Sequence, residues 1–247
     1  MPDWSHELPP LPPNPTRVLL FIAMESEAAP IAQALRLNAG RGQFGCAQIE
    51  LCNPGRDTAT SCDRIGPVYA TWALTRAIAA RKPDLVVNMG TAGGFAAQGL
   101  DIADLVVARD TMFHDARVAL AGFDAVARAH TRLSPRDTEL DGFAGTIDAR
   151  VGLVSSGSSL DATADELAQF SRLRTLAKDM ELAALAVVCA TEQVPLIALK
   201  GVTDLVDRHE PAHEAFVRNF NRTSARIAQA APAFFEALLA ESAKPRS

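Results

Sequence analysis

Cysteine is scarce in this 247-residue chain: Cys46, Cys52, Cys62 and Cys189 are all it has, and no two of them form a CxxC. So few thiols at such spacings point away from a disulfide framework or a zinc site, and towards small buried thiols in a reduced compartment. Cys46 and Cys52 share strand parity, so a disulfide between them stays open. No apolar run approaches the roughly 20 residues of a membrane span. The N-terminus lacks the basic-then-apolar order of a secretory signal, and a cytoplasmic location is the expectation. Blocks of basic residues are missing too: 24 Lys and Arg are scattered among 29 Asp and Glu for a net charge of -5. That balance argues against nucleic acid and anionic membranes as partners. There is no internal repeat.

What is present is a core. Hydrophobic residues make up 48% of the chain and charged residues 21%, the composition of an ordinary soluble globular protein. Residues 1–15 hold six of the 15 prolines; this stretch reads as an extended, flexible arm that neither pairs as a strand nor runs as a helix. From 16 to 247 no linker interrupts the pattern, so a single domain is expected. Val194–Val206 (VPLIALKGVTDLV) reads as a buried strand running into a polar tip, Thr203-Asp204. Arg17–Met24, Asp84–Gly90, Asp104–Ala108 and Val151–Ser155 read as further buried strands, and Cys46–Cys52 as an alternating one. Helical patterns cover Ser26–Leu37, Pro67–Ala80, Ala162–Leu176, Met180–Glu192 and a long segment from about Ala212, while 116–148 is irregular. Strands alternating with helices give an α/β class, with a central, mostly parallel sheet between helical layers.

Two familiar patterns mislead. Gly40–Gly45 matches GxGxxG, but a helical segment precedes it and a strand follows, the reverse of a dinucleotide-binding turn; it reads as a loop. His209–His213 matches HExxH, yet Pro211 stands between the histidines and suits the first position of the next helix far better than a helix interior. Neither a nicotinamide cofactor nor a metal is expected.

The chemistry gathers at strand ends, where ligands sit in open α/β sheets. Glu25 and Glu27 follow the first strand, Thr91–Gly94 form a glycine turn after the second, Ser155–Ser159 follow VGLV, and Asp204 ends PLIALKGV. Asp179-Met180-Glu181 lie where a helix begins. Each alone has an ordinary explanation: acidic residues favour helix starts, and glycines make turns. Their convergence on one sheet edge is the signal.

The segments AMESEAAPI (23–31), VNMGTAGGF (87–95), FHDARV (113–118), SSGSSLD (155–161), KDMELAA (178–184) and LKGVTDLVD (199–207) resemble the 5'-methylthioadenosine/S-adenosylhomocysteine nucleosidases, within the purine nucleoside phosphorylase family. NPGRD (53–57), KDME and LKGVTDLVD are similar to the plant-type methylthioadenosine nucleosidase branch in particular. The resemblance spans about residues 16–240. It implies a three-layer α/β/α fold of the phosphorylase/hydrolase kind, with a central mixed, mostly parallel sheet. It implies a homodimer, no cofactor, no metal, and hydrolysis of the C1'–N9 bond of a 5'-thioadenosine. By matching position, Asp204 is the acid at adenine N7 and Glu27 activates water. Glu181 binds the ribose hydroxyls, with Met180 against the sugar. The backbone of Leu160 reads the adenine edge, and Thr91, Ala92 and Gly93 lie along the nucleoside. Met24 and Lys200 belong to the same set, with Phe113 and Phe123 lining an apolar 5' pocket and His114-Asp115 near its thioalkyl end.

The chemistry is consistent with these residue types. A glycosidic bond that breaks through an oxocarbenium-like sugar needs one carboxyl group to protonate the leaving group and another to activate water opposite. An acid on an apolar strand gains proton affinity from burial. Phosphorylases of the family carry an arginine where Asn88 stands here, so water is the expected nucleophile, although Arg56 and Arg64 lie nearby in sequence. Two positions depart from the family pattern: Ser158 replaces an aspartate, and Leu182 replaces a small residue beside Glu181. The departures motivate one alternative, a decayed nucleoside-binding protein. A second alternative is a relative acting on futalosine, adenosine or inosine.

Overall fold

A computed structural model describes residues 6–133 and 137–241. The first five residues of the proline-rich arm, and 242–247 of the expected domain, lie outside the described residues. The chain opens with a two-residue strand β1 (His6–Glu7), followed by β2 (Arg17–Phe21), α1 (Glu25–Ala34), the hairpin β3 (Arg41–Phe44) and β4 (Ala47–Cys52), α2 (Pro67–Ala80) and β5 (Leu85–Gly94). Next come β6 (Leu105–Phe113), α3 (Phe123–Arg128), β7 (Thr131–Arg132) and α4 (Asp137–Ile147). The remainder is β8 (Ala149–Ser156), α5 (Ala164–Leu173), β9 (Ala177–Asp179), α6 (Leu182–Glu192), β10 (Leu196–Leu205) and α7 (Ala212–Glu241).

The strands form one mixed sheet in the order β1-β7-β6-β8-β9-β5-β2-β4-β3, while β10 pairs with both β5 and β6. Strands β5, β10, β6, β8 and β9 therefore close into a ring. β10 runs parallel to β5 and antiparallel to β6; β9 runs parallel to β8 and antiparallel to β5. Alternate residues of β2 feed two cores. Val18 and Leu20 pack with Ile31, Phe143, Phe234 and Phe235 from α1, α4 and α7. Leu19 and Phe21 pack with Ala70, Leu74, Leu182 and Leu185 from α2 and α6. Covering on both faces is why these strands read as unbroken apolar runs. Among the described residues, no helix is long and apolar enough to cross a membrane.

Several expectations change. Thr91–Gly94 is not a turn: β5 continues to Gly94, in register with β10 as far as Leu205. The glycines serve close approach instead, since a Cβ on Gly94 would meet Val202 at 2.7 Å and one on Gly93 would meet Val206 at 2.6 Å. The arm does pair. His6 and Leu8 donate to the carbonyls of His130 and Arg132, and Leu8 is buried, because no proline falls between residues 3 and 8 and those N–H groups stay intact. The irregular 116–148 stretch contains α3, β7 and α4. Most of the GxGxxG match is strand β3, paired antiparallel with β4. α7 begins at Ala212, so His209 precedes the helix that holds His213 and the two do not share a helical face.

Candidate active site

A cavity with about 910 Å³ of empty space, mouth included, opens at the carboxyl ends of β2, β5 and β10. Its wall holds Met24, Glu27, Thr91, Ala92, Gly93, Leu160, Met180, Glu181, Lys200 and Asp204, ten of the eleven residues expected there. Phe113 is the exception. It packs against the core on the α2/α6 side of the sheet, because β6 runs on to residue 113 and carries the side chain away from the cavity. Phe123 is 64% exposed on α3 and does not reach the cavity. His114 is also absent from the wall: it is buried with its Nδ1 3.1 Å from Ser155 Oγ and its ring edge-on to Phe170.

Glu27 enters from the first turn of α1. Its Oε1 accepts the N–H and the hydroxyl of Thr91, both at 2.7 Å. Full burial pushes its carboxyl above the usual range, while Thr91 and the charge of Lys200 oppose that shift. Gly90 makes room, since a Cβ there would sit 3.3 Å from Glu27 Oε2. Asp204 stands near the end of β10, beyond a register shift between Val202 and Asp204. Its Oδ1 accepts the Thr203 hydroxyl at 2.9 Å. Burial raises its proton affinity, with Thr203 and Lys178 acting the other way. The shift runs in the direction that a proton donor needs.

Glu181 precedes α6 and reaches across to α2. Its Oε1 accepts the N–H of Gly66 at 2.7 Å, where Gly66 turns into α2 with φ 90°, a conformation natural to glycine. Burial, and then the charge of Asp179, push Glu181 up to about 7. Below it, Lys200 Nζ meets Asp179 Oδ2 at 2.7 Å, both fully buried. Asp179 also accepts the Ser156 hydroxyl at 2.5 Å and the Leu182 N–H at 3.0 Å, so it fixes the start of α6. Sequence reasoning missed Lys178, Ile65 and Phe216, which also line the cavity. The only available signal for Lys178 was its place inside the KDME segment.

Neither departure from the family pattern lines the cavity. Leu182 is fully buried in the core and stays out of the cavity, so it does not crowd a sugar. Ser158 donates its N–H to Asp115 Oδ2 at 2.8 Å, so a neighbouring carboxylate still serves this loop. Asn88 lines the cavity and donates Nδ2 to the Phe21 carbonyl at 3.1 Å. The two arginines nearby in sequence are turned elsewhere and do not line the cavity. Arg56 pairs with Glu25 and Asp63, and Arg64 lies over Tyr69 and Trp72.

The chain is similar to known proteins over most of its length. Residues 17–237 match the model of the phosphorylase superfamily. A 5'-methylthioadenosine/S-adenosylhomocysteine nucleosidase of Arabidopsis thaliana is 30% identical over 85% of this chain and 87% of its own. A 5'-methylthioadenosine nucleosidase of the same plant is 33% identical over 85% and 82%. The apo structure of Arabidopsis thaliana 5'-methylthioadenosine nucleosidase superposes with a TM-score of 0.83 at 28% identity, covering 93% of this chain and 97% of that one.

Proposed function

Since the chain belongs to the phosphorylase superfamily, among its 5'-methylthioadenosine/S-adenosylhomocysteine nucleosidases, we propose that it hydrolyses the N-glycosidic bond of 5'-methylthioadenosine, releasing adenine and 5-methylthioribose. The observation that carries this reading is the meeting of Asp204, Glu27 and Glu181 in one largely apolar cavity. Asp204 delivers its proton to N7 of the purine as the C1'–N9 bond breaks. Water adds to C1', and Glu27 takes its proton. Glu181 holds the ribose hydroxyls, a bond that strengthens as positive charge grows on the sugar. Met180 and Met24 give the sugar apolar walls, Thr91, Ala92 and Gly93 run alongside the nucleoside, and Leu160 borders the purine. Lys200 holds Asp179 beneath the ribose end.

Water is the nucleophile because phosphate finds no free cation. Among the described residues the cavity wall carries Lys178 and Lys200, and both are engaged: Lys200 with Asp179, Lys178 with three carbonyls. The test is product analysis with and without phosphate. Free 5-methylthioribose at a phosphate-independent rate is expected; a sugar 1-phosphate would assign a phosphorylase instead.

The finer architecture we assign is a three-layer α/β/α fold with a mostly parallel sheet, which the two cores on opposite faces of β2 support. Residues 16–247 act as a single unit, in keeping with packing of α7 in the core of α1 and α4. The working form is a homodimer, supported by the apolar side chains that α2 and its approach leave exposed, Ile65, Val68, Tyr69 and Trp72. Four free cysteines, two of them exposed, suit the cytoplasm.

A further inference from the structure

Lys178 lies 4% exposed on β9, in the cavity wall, with no part in the reaction as described so far. It pairs in register with Gly93 on one edge of β5, and Asp204 pairs in register with the same Gly93 on the other edge. Residues in register project to the same face of a sheet. The lysine and the aspartate therefore flank a position with no side chain between them, where a Cβ would come within 2.9 Å of Asp204 Oδ2. The ammonium donates to the carbonyls of Ser159, Leu160 and Asp161 at 2.8, 3.0 and 2.6 Å. An ammonium has three donors and no acceptor. Lys178 is saturated by these bonds, so its influence on Asp204 comes through charge and not through a hydrogen bond.

We propose that Lys178 is a positioning residue for the purine end of the site: it gathers three successive carbonyls of the loop after β8 and, from across Gly93, holds a fixed positive charge beside Asp204. The inference rests on the nucleosidase reading. Three converging carbonyl oxygens repel one another unless a cation gathers them, so the lysine determines how the loop presents Leu160 to the cavity. Its charge opposes the rise in Asp204 proton affinity that burial causes. Other titratable groups face the ammonium: Glu166 from α5, Asp161 from the loop, Asp179 from β9 and His114 after β6. Burial holds Lys178 below its ordinary value, and Asp204 is the first of the acids that work against that.

The sign of the effect on catalysis follows. Asp204 acts while protonated, so removing the cation extends the active form to higher pH. The alkaline limb of kcat/KM should move upward. A lysine that merely braced the loop would alter KM and leave the limb in place. The experiment compares wild type, Lys178→Met and Lys178→Arg for adenine release from 5'-methylthioadenosine across pH 5–10. Lys178→Met should raise KM about tenfold and move the alkaline limb up by about one pH unit or more, the scale of a neighbouring charge. Lys178→Arg should leave the limb where it is. If Lys178→Met does not fold, Lys178→Gln takes its place. An unmoved limb in an active, folded neutral variant overturns the inference alone; a wild type that releases no adenine overturns the nucleosidase reading beneath it.

Discussion

Thr91 gives Glu27 two hydrogen bonds at one oxygen, from its N–H and from its hydroxyl, both at 2.7 Å. Bonds to the ionised form hold down a proton affinity that burial pushes up. In the proposed mechanism Glu27 works as a base and must be ionised, so Thr91→Val should move the acidic limb of kcat/KM to higher pH. Glu27→Gln should lower kcat by about 10²–10⁴, the range for loss of a general base, with the melting temperature maintained or raised. A Thr91→Val profile that superposes on wild type would remove Thr91 from this role.

Gly93 is required by the side chain opposite it, not by backbone torsion. Gly93→Ala places a methyl group 2.6 Å from Val206 Cγ2 and 2.9 Å from Asp204 Oδ2. Overpacking of this kind costs about 1–3 kcal/mol, to be read from urea unfolding. Adenine release should fall further than stability does, since the displaced group is the proposed acid.

The pair of Lys200 and Asp179 is fully buried. Lys200→Met leaves Asp179 without its cation and should destabilise the fold by about 3–5 kcal/mol. Adding Asp179→Leu should restore part of that loss, because no unpaired charge remains. Calorimetry of the single and double variants checks this; a double variant less stable than the single would contradict it.

Glu181 makes stability depend on pH. Its carboxyl is pushed from 4.5 to about 7 in the folded chain, so the folded protein retains a proton that the unfolded chain has released. Folding is undisturbed by this group below its unfolded value and loses stability as pH rises towards 7. Glu27 and Asp204, raised by burial, act in the same direction. The melting temperature of Glu181→Gln should therefore gain on wild type between pH 4.5 and 7.5, and a constant gap would contradict the assignment.

Much of this site could be read from residue order because its carboxylates stand at or beside the ends of buried strands. PLIALKGV announces a strand covered on both faces, and Asp204 near its carboxyl end falls where α/β sheets bind ligands. Glu27 and Glu181 were found by matching motifs, since any helix start favours an acidic residue. Lys178 stayed hidden because its task is defined by carbonyls 17–19 positions away in sequence. Phe113 was misplaced because core and cavity walls draw on the same apolar side chains. Gly93 and Gly94 read as a turn because the close approach of Val202, Asp204 and Val206 comes from a strand a hundred residues downstream. The pairing of His6 and Glu7 depends on β7, equally remote.

Adenine release by Asp204→Asn, measured beside the binding of 5'-methylthioadenosine to the same variant, tests the proton donor most directly. The side chain keeps its size and the Thr203 contact can persist, so binding within about tenfold of wild type is expected while kcat falls by about 10²–10⁴. Turnover near the wild-type rate, with binding intact, would show that the purine leaves without this carboxyl group's proton.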